Sequence, residues 1–173
     1  MNDMTVLTEE HTMMADRMRW RFGDTRSVVA AVNPQELIEI GDLVYLENGV
    51  ARSASTQADQ GNEAANQQLF AGRFLGVAMQ RSPVGDDRPI RVAATGVFEF
   101  VCPAESFELG DWIGADEADD GTRLENQRVT KVTQAALAVG RAAKRAPQPG
   151  GTVWVEICST VMTGGVKGTT AAS

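Results

Sequence analysis

The sequence predicts a mainly β protein: two small duplicated β-modules, barrel- or sandwich-like, with an extended N-terminal arm and at most one or two short helices. Three observations predict it. Short apolar, β-branched runs recur, each bounded by turn formers drawn from 17 Gly and 6 Pro. Part of the chain repeats. The first 26 residues carry no such runs and read as an arm.

The arm, residues 1–26, is Met-rich and polar. Near its end Arg17-Met18-Arg19-Trp20-Arg21-Phe22 alternates between cation and large apolar residue. A period of two puts Met18, Trp20 and Phe22 on one side of an extended segment and the three Arg on the other. One strand cannot bury that apolar face alone. It serves either as an edge strand of its own domain or as a contact to another chain, and these six residues are the candidate partner-binding site.

A first β-module is predicted over 27–104 and a second over 105–162. Their strands are predicted at Leu43–Leu46, Phe74–Met79, Ile90–Ala93, Val97–Val101, Val129–Val132, Ala136–Val139 and Val153–Ile157. Helical candidates are the Ala- and Gln-rich stretch Thr56–Phe70 and a short one near Gln134–Ala138. The repeat is clearest where Ile38-Glu39-Ile40-Gly41-Asp42-Leu43-Val44 matches Phe107-Glu108-Leu109-Gly110-Asp111-Trp112-Ile113. The two Gly-Asp pairs stand 110 − 41 = 69 residues apart. Downstream, Gly76 falls in step with Gly140, and Gly85–Val92 with Gly150–Val155. Two copies are too few for a solenoid, so two modules packed together fit better. The last residues, 163–173, are small and Gly-rich and read as a flexible tail.

Composition bounds the function. A chain of 173 residues and 18.5 kDa can bury a sizeable core without disulfide or metal. Its 16 cations and 23 carboxylates give a net charge of −7, which argues against a nucleic-acid partner. No apolar run is long enough to span a membrane. The start of the chain is acidic where a signal peptide would be basic and then apolar, so synthesis inside a cell is expected. Cys102 and Cys158 lie far apart and read as small reduced apolar residues, with a disulfide as the alternative.

Catalytic chemistry finds few materials. His11 is the only histidine and lies in the arm beside Glu9 and Glu10. Zinc sites need several Cys or His at short spacing, which are missing. Asp116-Glu117-Ala118-Asp119-Asp120-Gly121-Thr122 fails the calcium-loop spacing at Ala118 and reads as an exposed hairpin turn, with a weak cation site as the alternative. Gly164–Thr170 has the ingredients of a phosphate loop in the wrong order. Asp42 and Asp111 could pair for acid/base work, but their place in duplicate turns favours a structural role. Arg141, Lys144 and Arg145, with Arg128 and Lys131, form a solvated basic face or an ionic contact to an acidic protein partner. The expectation is a structural or binding protein with no enzyme activity, cofactor or metal.

The run Ile38–Tyr45, then Phe74–Ala78, then Ile90-Arg91-Val92-Ala93-Ala94-Thr95-Gly96-Val97-Phe98-Glu99-Phe100, then Phe107–Asp111, resembles the capsid decoration, or cement, proteins of tailed phages. The order of these short motifs, over roughly residues 38–161, carries the resemblance. The long N-terminal arm and the Gln/Asn/Ala insertion at Thr56–Gln68 depart from the pattern. The resemblance implies a virion protein on the outer surface of an expanded capsid. It would be a homotrimer that staples neighbouring major capsid proteins. Met18, Trp20 and Phe22 would anchor the arm in an apolar groove, and Arg17, Arg19 and Arg21 would pair with shell carboxylates. Trp112 and Trp154 would serve the core or the trimer interface. A tail, baseplate or connector component, and a carbohydrate- or surface-binding module, are the competing readings.

Overall fold

The computed structural model describes residues 16–166. The parts of the arm and tail at 1–15 and 167–173, including His11 and Lys167, lie outside them. The strands form two closed five-stranded barrels, and the first strand, β1 (Trp20–Phe22), pairs with the second of them at its edge. The first barrel comprises β2 (Val28–Val32), β3 (Leu43–Glu47), β4 (Val50–Ser53), β5 (Phe74–Ala78) and β6 (Ile90–Ala93), in the order β2-β4-β3-β5-β6. The second comprises β7 (Thr95–Phe107), β8 (Trp112–Glu117), β9 (Leu124–Lys131), β10 (Gly140–Ala142) and β11 (Ala146–Cys158), in the order β9-β8-β10-β11-β7, closed by β7 against β9.

The two barrels share one topology. The order maps β2 to β7, β3 to β8, β4 to β9, β5 to β10 and β6 to β11. Each barrel has one parallel pair in the same place, β2 with β4 (Ala31 opposite Val50) and β7 with β9 (Val101 opposite Arg128). The duplication in the sequence is therefore a duplication of architecture. Gly76 and Gly140 show why Gly recurs in step. A Cβ on Gly76 would overlap the Ala93 carbonyl of β6, and one on Gly140 the Glu156 carbonyl of β11. Only a residue without a side chain lets the neighbouring strand come so close.

Two clusters form the core. The larger draws Leu43, Tyr45, Phe70, Phe74 and Val77 from the first half of the chain and Phe98, Phe100, Phe107, Ile113, Leu124, Val155 and Ile157 from the second. The smaller fills the first barrel with Val32, Ile38, Val44, Leu75, Ile90 and Val92. β3 thus buries Leu43 and Tyr45 on one face and Val44 on the other. A strand covered on both faces reads as a continuous apolar run, which is how it looks in the sequence. One shared core makes the barrels a single packing unit.

The helical expectations shift. In place of Thr56–Phe70 the chain makes a 3₁₀ turn at Ala54–Thr56 and a helix, α1, at Glu63–Gly72. Asn62 fixes the start by accepting the Ala65 N–H at 2.9 Å, and Glu63 suits the first turn. The helix buries Phe70 in the shared core and ties the barrels through Gln67, whose Nε2 donates to the Ala115 carbonyl of β8 at 2.8 Å. Ala136–Val139 is not a strand. Ala135–Leu137 makes a 3₁₀ turn, and β10 begins only at Gly140, where close approach to β11 becomes possible. A last short helix, α2 (Thr160–Thr163), is capped by Ser159.

Candidate functional site

The N-terminal segment crosses both barrels before it enters the first. The Asp16 carboxylate accepts the Ile40 N–H at 3.1 Å and pairs with Arg81. The Arg17 N–H donates to the Ile40 carbonyl at 2.8 Å. The Arg19 carbonyl then accepts the Glu99 N–H of β7 at 2.9 Å. The segment therefore starts on the first barrel and continues as β1 along the second.

Arg19 turns inward. Its Nε donates to Gln127 Oε1 at 2.9 Å, its Nη1 to the Glu99 carbonyl at 3.1 Å, and its guanidinium lies over the Phe100 ring. Burial, with the charge of Arg17 nearby, pulls its pKa down to about 10, so it remains a cation at neutral pH. Gln127 relays the contact: its Nε2 donates to Asp42 Oδ1 at 2.9 Å and to the Ile40 carbonyl at 3.2 Å. Asp42 also accepts from the Glu39 N–H at 3.0 Å and Ser53 Oγ at 3.3 Å. Burial pushes its carboxyl above the usual range in spite of these donors.

The expected strict alternation does not survive. β1 pairs Trp20 with Phe98 and Phe22 with Val97, so two steps on β1 answer one on β7. This bulge re-aims the side chains beyond Trp20. Phe22 lands beside Arg21, and both meet Trp154. The Phe22 ring packs edge-on at 5.9 Å, and the Arg21 guanidinium lies 5.8 Å from the indole centroid. Arg21 also pairs with Glu99 at 2.7 Å, and the Trp154 Nε1 donates to the other Glu99 oxygen at 2.7 Å. Burial pushes the Glu99 carboxyl up, but these two donors outweigh it and hold it below the usual range. Lys144 completes the cluster, 4.7 Å from the Trp154 ring.

The outcome is a strand anchored through Arg19 and exposed elsewhere. Met18, Trp20 and Phe22 stay 52%, 44% and 49% exposed, and Arg17 and Arg21 face solvent. Three large apolar side chains are thus left half-exposed within five residues of one another.

The other candidates separate clearly. Asp42 and Asp111 hold duplicate turns. In each, the carboxylate accepts the N–H three residues back, Glu39 at 3.0 Å and Glu108 at 2.9 Å. They belong to different barrels and neither bonds the other. The acidic stretch ends β8 and turns into β9, with the Ala118 N–H bonded to the Arg123 carbonyl at 2.8 Å and Asp116 paired with Arg128. Trp112 and Trp154 are both half-buried. Cys102 and Cys158 are free thiols, and burial pushes the Cys102 thiol up to about 11. Among the described residues no group of three or more His, Cys, Asp and Glu could hold a metal ion, and no helix is long and apolar enough to cross a membrane. Sequence reasoning missed Gln127 and Glu99, which serve the segment from β9 and β7. No local signal marks them, because their roles depend on contacts 108 and 80 residues away in sequence.

Against this geometry, the family model described as Phage cement protein matches residues 22–157. The chain belongs to this family. A phage cement protein is a structural component of the phage capsid, which agrees with the resemblance carried by the duplicated Gly-Asp motifs. The match spans both barrels from Phe22 onward, so Arg17 to Arg21 precede it. A search of curated proteins finds no match.

Proposed function

We propose that this cement protein binds the outer surface of the expanded phage capsid as a homotrimer and bridges neighbouring major capsid proteins. Family membership across both barrels carries the reading. The contact assigned to the shell is the exposed patch of Met18, Trp20 and Phe22, flanked by Arg17 and Arg21. Arg19 has a different part. Held between Gln127 and Glu99, it fixes the strand so that its neighbours are presented in one geometry, which lowers the entropy lost on docking.

The mechanism is thermodynamic. A ligand that binds only the expanded shell stabilises that form by mass action, about 2.7 kcal/mol per site at a hundredfold excess over Kd. Repetition over many identical sites adds these increments against internal pressure. Co-sedimentation with expanded and unexpanded shells of the encoding phage tests this. Saturable binding to expanded shells alone is expected, with at least a tenfold loss of affinity for Trp20→Ala. Binding to neither shell form would move the assignment to a tail or connector component. Undiminished binding by Met18→Ser/Trp20→Ser/Phe22→Ser would remove the patch from the contact.

A further inference from the structure

The two Gly-Asp turns share their internal bonds but not their surroundings. In each, the Gly N–H reaches across to an Ala carbonyl, Gly41 to Ala78 and Gly110 to Ala142, both at 2.9 Å. The outer face of the first turn is occupied. Asp16 and Arg17 bond to both the N–H and the carbonyl of Ile40. The residue equivalent to Ile40 is Leu109. It is 69% exposed, and no described residue bonds to its backbone. The second barrel cannot cover its own turn in the same way. The first barrel is entered through the segment Asp16–Ser27, whereas β7 follows β6 with only Ala94 between.

We infer that the second Gly-Asp turn, Glu108 to Asp111, docks the N-terminal residues 1–15 of a second copy. The molecule itself shows what such a turn accepts: an extended stretch of this chain. The fifteen residues upstream of Asp16 span up to about 50 Å when extended, enough to reach a neighbour. Their chemistry suits the site. They carry Asp3, Glu9 and Glu10 with no Lys or Arg, and Met4, Val6, Leu7, Met13 and Met14 among them. The rim of the second turn carries Lys131, Arg141 and Arg145 around Glu108 and Asp111, with Leu109 as the apolar centre. In a chain of net charge −7, three cations against two carboxylates at this turn favour an acidic partner.

Such a contact is one-directional, from the arm of one copy to the turn of the next, and a rotation that closes makes a ring. It deepens the self-association part of the proposed function and is independent of shell binding.

Light-scattering mass of the full-length protein, a 1–15 deletion and Leu109→Glu tests it. The full chain should run at about three times 18.5 kDa. Both variants should run as monomers with unchanged circular dichroism. A mixture of Glu10→Cys and Leu109→Cys proteins should form a disulfide-linked species that neither forms alone. If the full chain is trimeric and either variant stays trimeric, the docking inference falls and the trimer stands. If the full chain is a monomer, both fall, and shell co-sedimentation still decides the capsid reading.

Discussion

The same five-strand barrel occurs twice in this chain, and its Gly-Asp turn is a structural interior in one copy and an exposed surface in the other. Gly41 and Asp42 are buried, while Gly110 and Asp111 are half-buried. The local bonds are alike, so the turn itself does not make the difference. It comes from what lies on top: the segment around Arg17 in the first copy and, among the described residues, the end of the Arg141 side chain in the second. A duplicated motif has thus been spent in two ways. One copy fixes the N-terminal segment, and the other leaves Leu109 exposed.

The largest break in this comparison is expected at the glycines. Both have positive φ, +97° at Gly41 and +84° at Gly110, so Ala costs about 1–2 kcal/mol at either position. At Gly41 the added Cβ would also meet the Arg17 carbonyl, so the segment must lift and its bonds to Ile40 go with it. Gly41→Ala should cost about 3 kcal/mol or more, and Gly110→Ala about 1–2. Urea unfolding of both variants checks the gap. Equal losses would mean that the segment adds nothing to the first turn.

A middle-sized effect is expected at Asp42 and its partner Gln127. Gln127→Ala strips a donor from buried Asp42 and an acceptor from buried Arg19, for about 2–4 kcal/mol. The pH dependence has a definite sign. Asp42 has a raised pKa when folded, so its contribution is fully present below the unfolded value near pH 4 and is lost as pH rises through the folded pKa. Glu99 is the reverse case. Its pKa is lowered, so its contribution is present above the unfolded value and is lost as pH falls through the folded one. Urea midpoints between pH 3 and 7 should show Asp42→Asn making the rise of stability with pH steeper and Glu99→Gln making it shallower. Unchanged slopes in both variants would sink this assignment.

The fold class was legible because its marks are local: apolar runs, Gly-Asp turns and a repeat in register. Four barrel strands lie outside the predicted runs: β2, β4, β8 and β10. β2 (Val28–Val32) and β4 (Val50–Ser53) are diluted by Ala and Ser, so no continuous run shows. β4 had another signal. Asn48-Gly49, with φ of +52° and +78°, makes the tight turn from β3 into β4, and Asn-Gly is a strong hairpin mark. The apolar residues of the N-terminal segment were also legible as a set. Their division was not, since the bulge after Trp20 and the inward turn of Arg19 depend on Val97, Glu99 and Gln127, all far along the chain.

The smallest effect sharpens the comparison most. Gln127 and Lys131 lie four residues apart on β9 and serve different turns: Gln127 bonds Asp42 of the first, and Lys131 pairs with Asp111 of the second at 3.1 Å. The first contact is buried. The second joins side chains that are 40% and 29% exposed, so water screens it and each partner is solvated when alone. Lys131→Ala should therefore shift stability by no more than about 0.5–1 kcal/mol, against several times that for Gln127→Ala on the same strand. If the two losses were equal, the second turn would be as structural as the first. A near-zero loss leaves Lys131 and its neighbours free to act between molecules, where the same substitution should weaken self-association in a salt-dependent way.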